Sequence, residues 1–259
     1  MKRKNLLIIM PAYNEEKNID RVLDQLEQPE ISSIADVLVI DDASTDATGQ
    51  IVRDRRHSMV VNLFNLGYGG ALQLGYKYAV RMGYQYVIQM DADGQHDVCN
   101  IPALYGRLRE PDGDGRYPDI VLGSRFMEGS GDFPVSLSKR AAYGLFRRMI
   151  RLLTGRTIAD PTTGLQGLSR RAFLYYSRYN HFDDKYPDAN MLVQMLLLGF
   201  QVTELPAVMY ARTADKSMHS GLRPVWYMFR MLFSMAAVVF RVKVLKIDAG
   251  VGQQRVDGT

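Results

Sequence analysis

The sequence predicts an α/β domain: a mostly parallel β-sheet with helices on both faces. Three observations carry the prediction. Short apolar runs (Leu6-Leu7-Ile8-Ile9-Met10, Val37-Leu38-Val39-Ile40, Met59-Val60-Val61-Asn62-Leu63, Tyr86-Val87-Ile88-Gln89-Met90) alternate with helical patterns. The runs are continuous rather than alternating in polarity, as strands covered on both faces require. Each run ends in polar residues, and sheets of this kind bind ligands at the carboxyl ends of their strands.

The elements follow in order. After the first run, residues 15–28 read as a helix with Ile19, Leu23 and Leu26 on one face. The second run leads to a helix capped near Ser44 or Asp46, and the third to a glycine-containing turn and a helix ending near Met82. The fourth ends directly in Asp91. Residues 110–117 form a Pro/Gly/Asp loop, followed by a short strand, Ile120-Val121-Leu122. Residues 136–153 read as an amphipathic helix, with Leu137, Ala141 and Leu145 on one face and most arginines elsewhere. Residues 189–198 form an apolar helix ended by Gly199, and 202–209 a late strand. The chain divides at this level into a catalytic region, 1–221, and a helical extension, 222–259.

Composition narrows the function. With 32 Lys plus Arg against 28 Asp plus Glu, the formal net charge is only +4, and no nucleic-acid partner is expected. Arg140, Arg147, Arg148, Arg151 and Arg156 crowd one stretch, while Asp91, Asp93 and Asp97 crowd another. Cys99 is the sole cysteine, so no disulfide framework and no thiolate metal site can form. The first apolar run is too short for a signal peptide. No G-x-G-x-x-G follows the first strand and no G-K-[ST] occurs, so dinucleotide and P-loop readings fail. The glycines of Asn65-Leu66-Gly67-Tyr68-Gly69-Gly70 read instead as permitting close backbone approach.

The chemistry concentrates in Asp91-Ala92-Asp93-Gly94-Gln95. At a strand end, residues i and i+2 point the same way. Two carboxylates so placed repel unless a cation sits between them, and hard oxygen ligands suit Mg²⁺ or Mn²⁺ bridging to phosphates. Gln95 continues the parity and is a third candidate oxygen. The stretch Pro11-Ala12-Tyr13-Asn14-Glu15-Glu16 reads as a nucleoside platform, with Tyr13 against a base and Glu15 accepting from ribose or base. Asp41-Asp42 offers one cap and one acceptor for a base N–H. His96 and His219 read as surface histidines.

Taken together, these residues resemble the family 2 glycosyltransferases, within them the dolichyl- or polyprenyl-phosphate sugar synthase branch. The resemblance runs from residue 6 to about 221. It rests on Pro11 to Glu15, on Asp41-Asp42 with Ser44-Thr45-Asp46, and on Asn65 with Gly67. It continues through Asp91-Ala92-Asp93-Gly94-Gln95-His96, Gly123-Ser124-Arg125, Asp160-Pro161-Thr162-Thr163-Gly164, and Arg212 with Lys216-Ser217. It implies a GT-A fold, inversion at the anomeric carbon and a nucleotide-diphosphate sugar donor, with UDP preferred. It also implies metal ligation by Asp91, Asp93 and Gln95, and a donor site formed by Pro11, Tyr13, Glu15, Asp42, Asp91, Ala92, Asp93, Arg125, Arg212 and Lys216.

In-line attack on the anomeric carbon leaves a charged diphosphate that cations must stabilise, a role suited to Arg212 and Lys216. Asp160 and Asp188 are the candidate bases. Asp160 is favoured, because Pro161 biases its backbone to an extended conformation; at Asp188 helix capping competes. Arg140 is the expected contact for an acceptor phosphate.

Residues 226–244 carry Met228, Met231, Leu232, Met235, Val238 and Val239 at helical spacing, with Arg223, Arg230, Arg241, Lys243 and Lys246 around them. This predicts an interfacial helix at the cytoplasmic membrane face; a homo-oligomer contact built from the same face is the alternative. The expected acceptor is a polyprenyl phosphate. The competing readings are a peripheral enzyme extending a glycan or lipid-linked saccharide and, from another class, a nucleotidyltransferase.

Overall fold

A computed structural model describes residues 3–210, 223–248 and 251, without the side chains of 137–139 and 223–225. Seven strands form one sheet: β1 (Leu6–Ala12), β2 (Ala35–Asp41), β3 (Ser58–Val61), β4 (Tyr86–Gln89), β5 (Ile120–Ser124), β6 (Gln166–Ser169) and β7 (Val202–Pro206). Among the described residues the helices are α1 (Ile19–Leu26), α2 (Pro29–Ser32), α3 (Thr48–Asp54), α4 (Tyr68–Met82), α5 (Asn100–Leu108), α6 (Leu137–Thr154), α7 (Arg170–Tyr176), α8 (Ala189–Leu198) and α9 (Arg223–Val239). A π-helical turn, Phe240–Val244, continues α9.

The strand order is β3-β2-β1-β4-β6-β5-β7. All neighbours are parallel except β6, which runs antiparallel to both β4 and β5. The sequence shows no apolar run at β6, because Gln166 and Gly167 interrupt it. Its two neighbours, rather than its own pattern, make it a strand. The short helices α5 and α7 were likewise not expected from the sequence. The first helix begins at Ile19 rather than near residue 15, after a turn in which the N–H groups of Asn18 and Ile19 both donate to Glu15 O (2.9 Å each). Gly199, at φ 90°, ends α8 as expected, its left-handed conformation carrying no Cβ penalty.

Alternate residues of each strand face opposite layers. Leu7, Ile9, Leu38 and Ile40 pack with α4, α7 and α8, whereas Leu6, Ile8, Met10 and Val39 pack with α1 and α5. Chain direction reverses its spatial order at β1: β2 and β3 lie on one side, β4 on the other. Such a switch point opens a crevice at the carboxyl ends of the strands. Here the pairing of β1 with β4 ends just before Pro11. The β1–β4 register ends at Ile9 and Gln89, with Met90 N–H still donating to Ile9 O (3.1 Å). The next backbone group on that side of β1 is the nitrogen of Pro11, which has no hydrogen to donate. The β1–β2 ladder, on the other side, continues to Ala12 and Asp41.

The C-terminal helix corrects the expected orientation of its apolar face. Met231 and Met235 are fully buried in the same core as Leu192 and Met195 of α8, and Val242 joins them. The exposed face instead carries Trp226, Phe229, Phe233, Phe240 and Val244. The segment placed in a separate extension therefore shares the core of the catalytic region. Met235→Ala is expected to cost about 2–5 kcal/mol, read as a lower urea midpoint in a single cooperative transition.

Candidate active site

The crevice gathers four loops. The loop after β1 is bonded to the loop after β2: Asn14 N–H donates to Ser44 Oγ (3.0 Å), Glu15 N–H to Thr48 Oγ1 (2.8 Å), and Thr45 N–H to Asn14 Oδ1 (2.8 Å). These bonds tie the two loops together and fix the turn that precedes α1. They leave Tyr13 half-exposed at the rim. Glu15 accepts from Asn18 Nδ2 (2.8 Å).

Asp42 differs from its expected role as a free acceptor for a base. It is 3% exposed, and its carboxylate accepts from Asn62 Nδ2 (2.7 Å), Leu66 N–H (2.8 Å) and Gly67 N–H (2.9 Å). It shapes the turn into α4. That turn carries Tyr68, whose hydroxyl donates to Asp91 Oδ1 (2.8 Å). Burial holds the Tyr68 phenol well above its usual range, so it remains a donor.

The Asp91–Asp97 loop is clamped from both sides. Asp91 N–H donates to His96 Nδ1 (3.1 Å), and His96 is 5% exposed, not a surface residue. Tyr210 N–H donates to Gln95 O (2.8 Å), and Tyr210 Oη to Asp97 (2.6 Å). Ala92 is buried beneath the loop. Burial raises the Asp91 carboxyl pKa, with His96 opposing and Asp93 adding to the shift. Gln95 donates to Asp93 through both its backbone N–H (3.0 Å) and its side-chain amide. This pairing orients Asp93 and engages only the nitrogen of the Gln95 side-chain amide.

No group of three or more His, Cys, Asp or Glu among the described residues forms a closed metal cage. The donor set is two carboxylates beside an open crevice. That suits a hard cation completed by phosphate oxygens and water, as Mg²⁺ and Mn²⁺ sites commonly are. Gly164 roofs the pair: a Cβ there would lie 2.9 Å from Asp91 Oδ2. Its carbonyl accepts from the buried Gln89 Nε2 (3.1 Å).

Asp160, the favoured base, is fully buried and doubly paired. Arg125 Nε donates to its Oδ2 (2.7 Å) and Arg125 Nη2 to its Oδ1 (2.7 Å), while Arg125 N–H adds a third bond (3.0 Å). Arg125 is itself committed. It also reaches Thr162 Oγ1 (2.9 Å), and its guanidinium lies 5.2–5.5 Å from the ring centroids of Phe126, Phe133 and Tyr143. Both oxygens of this carboxylate are held by a caged arginine, and the arginine's donors are spent on it and on Thr162, so neither group is presented to a substrate. Both therefore act in the architecture of the Pro161–Gly164 turn.

Asp188 presents the opposite picture. It occupies the N-cap position of α8, yet its side chain makes no capping bond. Its Oδ2 accepts from the Tyr227 hydroxyl, and no hydrogen bond reaches its Oδ1 among the described residues. Burial pushes its carboxyl up to about 6; Asp91 and Arg125 are close enough for their charges to act on it. Arg140 lies exposed near the start of α6. Arg212, Lys216 and His219 lie outside the described residues.

Comparison with known proteins gives this arrangement its family. Residues 7–176 match the model of "Glycosyl transferase family 2". The chain belongs to that family. It is 28% identical to an undecaprenyl-phosphate mannosyltransferase of Micrococcus luteus over 83% of this chain and 88% of the relative. It is 29% identical to a polyprenol monophosphomannose synthase of Mycolicibacterium smegmatis, over 83% and 81% of the two chains. Among solved structures, a glucosyl-3-phosphoglycerate synthase from Mycobacterium tuberculosis, in complex with Mn²⁺, UDP and glucosyl-3-phosphoglycerate, superposes with TM-score 0.66. The match covers 92% of this chain and 80% of the other at 19% identity, which establishes a shared GT-A fold.

Asp160→Asn strands a caged guanidinium beside a neutral amide, and removing one partner of a buried pair costs about 3–5 kcal/mol. Chemical denaturation should show this loss, at an unchanged denaturant slope.

Proposed function

We propose that this glycosyltransferase moves a sugar from a nucleoside-diphosphate sugar, with UDP preferred, to a polyprenyl phosphate at a membrane surface. The observation that carries the proposal is the convergence of the Asp91/Asp93 pair and Asp188 at one crevice, in a chain similar to polyprenyl-phosphate sugar transferases along most of its length. Tyr13 and Glu15 line the nucleoside end, with Pro11 beside them. Asp91 and Asp93 would hold Mg²⁺ or Mn²⁺, which supplies positive charge to the departing diphosphate. Tyr68 fixes Asp91 from below, and Gln95 fixes Asp93. Arg212 and Lys216 follow Tyr210, whose backbone is bonded to Gln95, and we assign them to the same diphosphate. Arg140 is assigned to the acceptor phosphate.

Asp188, not Asp160, is the carboxylate we assign to the acceptor side, because it has an oxygen to spare and a raised pKa. A phosphate monoester is already singly anionic, and its second proton, lost at about pH 6, is the one an acceptor-side carboxylate would take. A sugar hydroxyl acceptor would need the base fully. Comparing a polyprenyl phosphate with a lipid-linked saccharide, under one labelled donor, separates the two acceptor readings; pyrophosphate release would indicate nucleotidyl transfer instead.

No helix among the described residues is long and apolar enough to cross a membrane. The outer face of α9 and its continuation suits the surface of one instead. Trp226 (73% exposed), Phe229 and Phe233 (75%) recur at helical spacing, followed by Phe240 and Val244. Lys243 Nζ reaches Leu153 O (3.0 Å), which brings the end of α6, with exposed Arg151 and Leu152, beside this face. Aromatic side chains flanked by cations match the interface of an anionic, cytoplasmic leaflet.

Two measurements test these assignments. By calorimetry, Asp93→Asn should abolish the EDTA-sensitive part of UDP binding while leaving the melting temperature nearly unchanged; for Asp188, the turnover of the wild type should fall as pH drops through about 6 or below, where its carboxylate takes up a proton, and Asp188→Asn should lack that limb. Persistence of both wild-type behaviours removes the assignments. In flotation, the intact protein should rise with anionic vesicles, and Phe229→Asp with Phe233→Asp should stay down. A dimer in solution that those substitutions dissociate would make the face a homo-oligomer contact instead.

A further inference from the structure

The inner face of α9 reaches the candidate active site. Tyr227, one residue after the outward-facing Trp226, donates its hydroxyl to Asp188 Oδ2. Its ring is packed edge-on by Tyr186 (centroids 5.6 Å apart) and Phe146 (6.3 Å). Burial keeps its phenol well above the ordinary range, with Asp188 adding to the shift, so the group is a permanent donor. Two turns further on, Ser234 Oγ accepts from Asn190 Nδ2 (2.8 Å), and Asn190 Oδ1 accepts from the Asp188 backbone N–H (2.9 Å). The helix therefore holds both the side chain and the backbone of Asp188. No other hydrogen bond to the carboxylate is present among the described residues, and α8 does not use it as a cap.

We propose that Tyr227 is the positioning residue for Asp188, holding one carboxylate oxygen so that the other faces the acceptor. The inference rests on the assignment of Asp188 to the acceptor side. A carboxylate at a helix start has two free torsions, and one fixed oxygen removes most of that freedom. Misplacement of a reacting group by about 1 Å can cost about 10²-fold in rate. Tyr227→Phe keeps the ring and both aromatic contacts, so it removes the hydrogen bond while the packing stays.

The test is a double-mutant cycle on the full chain. It uses a water-soluble short-chain isoprenyl phosphate as acceptor, so that membrane binding plays no part, and the donor selected by a panel of UDP- and GDP-hexoses. Tyr227→Phe should lower kcat about tenfold or more, leave the KM for donor within about twofold, and shift Tm by no more than about 4 °C. In the Asp188→Asn background it should have no further effect, because the carboxylate it positions is gone. Full turnover of Tyr227→Phe alongside an impaired Asp188→Asn would overturn the positioning role and leave the assignment of Asp188 standing. Multiplying losses in the double variant would overturn it as well, showing that Tyr227 acts elsewhere. Full turnover of Asp188→Asn would remove the assignment itself, and the inference with it.

Discussion

The site depends on a missing hydrogen. Pro11 stands where β1 would next donate to β4, and it has nothing to donate. The ladder therefore stops at Ile9 and Gln89, while on the other flank β1 and β2 remain paired to Asp41. The sheet opens at the point where its strand order reverses. Into that opening β4 delivers Asp91 and β1 delivers Tyr13. A residue with an N–H at position 11 would permit the ladder to extend and the opening to narrow.

Around the opening, charge is either neutralised or left available, and the difference separates scaffold from chemistry. Arg125 and Asp160 cancel each other in a dry, aromatic-lined setting, with Glu204 accepting from the backbone N–H groups of Ala159 (2.7 Å) and Asp160 (2.9 Å). Asp42 spends its carboxylate on three donors. Asp91 and Asp93 have partners that orient them, a tyrosine and an amide, and no Lys or Arg forms an ion pair with either among the described residues. Asp188 has one hydroxyl. The carboxylates with fewest donors are the ones assigned to the chemistry, as expected where a bound cation or an anionic acceptor completes the electrostatics.

The C-terminal helix joins two surfaces that are far apart in sequence. Its buried methionines belong to the same core as α8, its outer aromatic residues face away, and Tyr227 lies between them, bonded to Asp188. The surface assigned to lipid and the carboxylate assigned to the acceptor thus ride on one packed unit. For an acceptor whose phosphate lies at a headgroup plane, as proposed, that linkage would fix the site relative to the lipid surface.

Much was legible in the sequence because it is written locally. Continuous apolar runs announced β1, β2 and β4, Gly199 ended α8, and the i, i+2 spacing of Asp91 and Asp93 placed both at a strand end. Their pattern, with Pro11 to Glu15, also pointed to the family. What the sequence could not settle was pairing. Nothing local says that Asp160 meets Arg125, 35 residues away, or that His96 is buried under its own loop. Helical spacing marked apolar positions on α9 but not which of them faced the core, since Met and Phe rows both recur with the same period. β6 was invisible because its strand state comes from its neighbours. The sequence alone determined which groups could carry charge, metal and hydrogen bonds. Only the tertiary structure decided which of those groups were already neutralised, because long-range contacts are what set burial and partners.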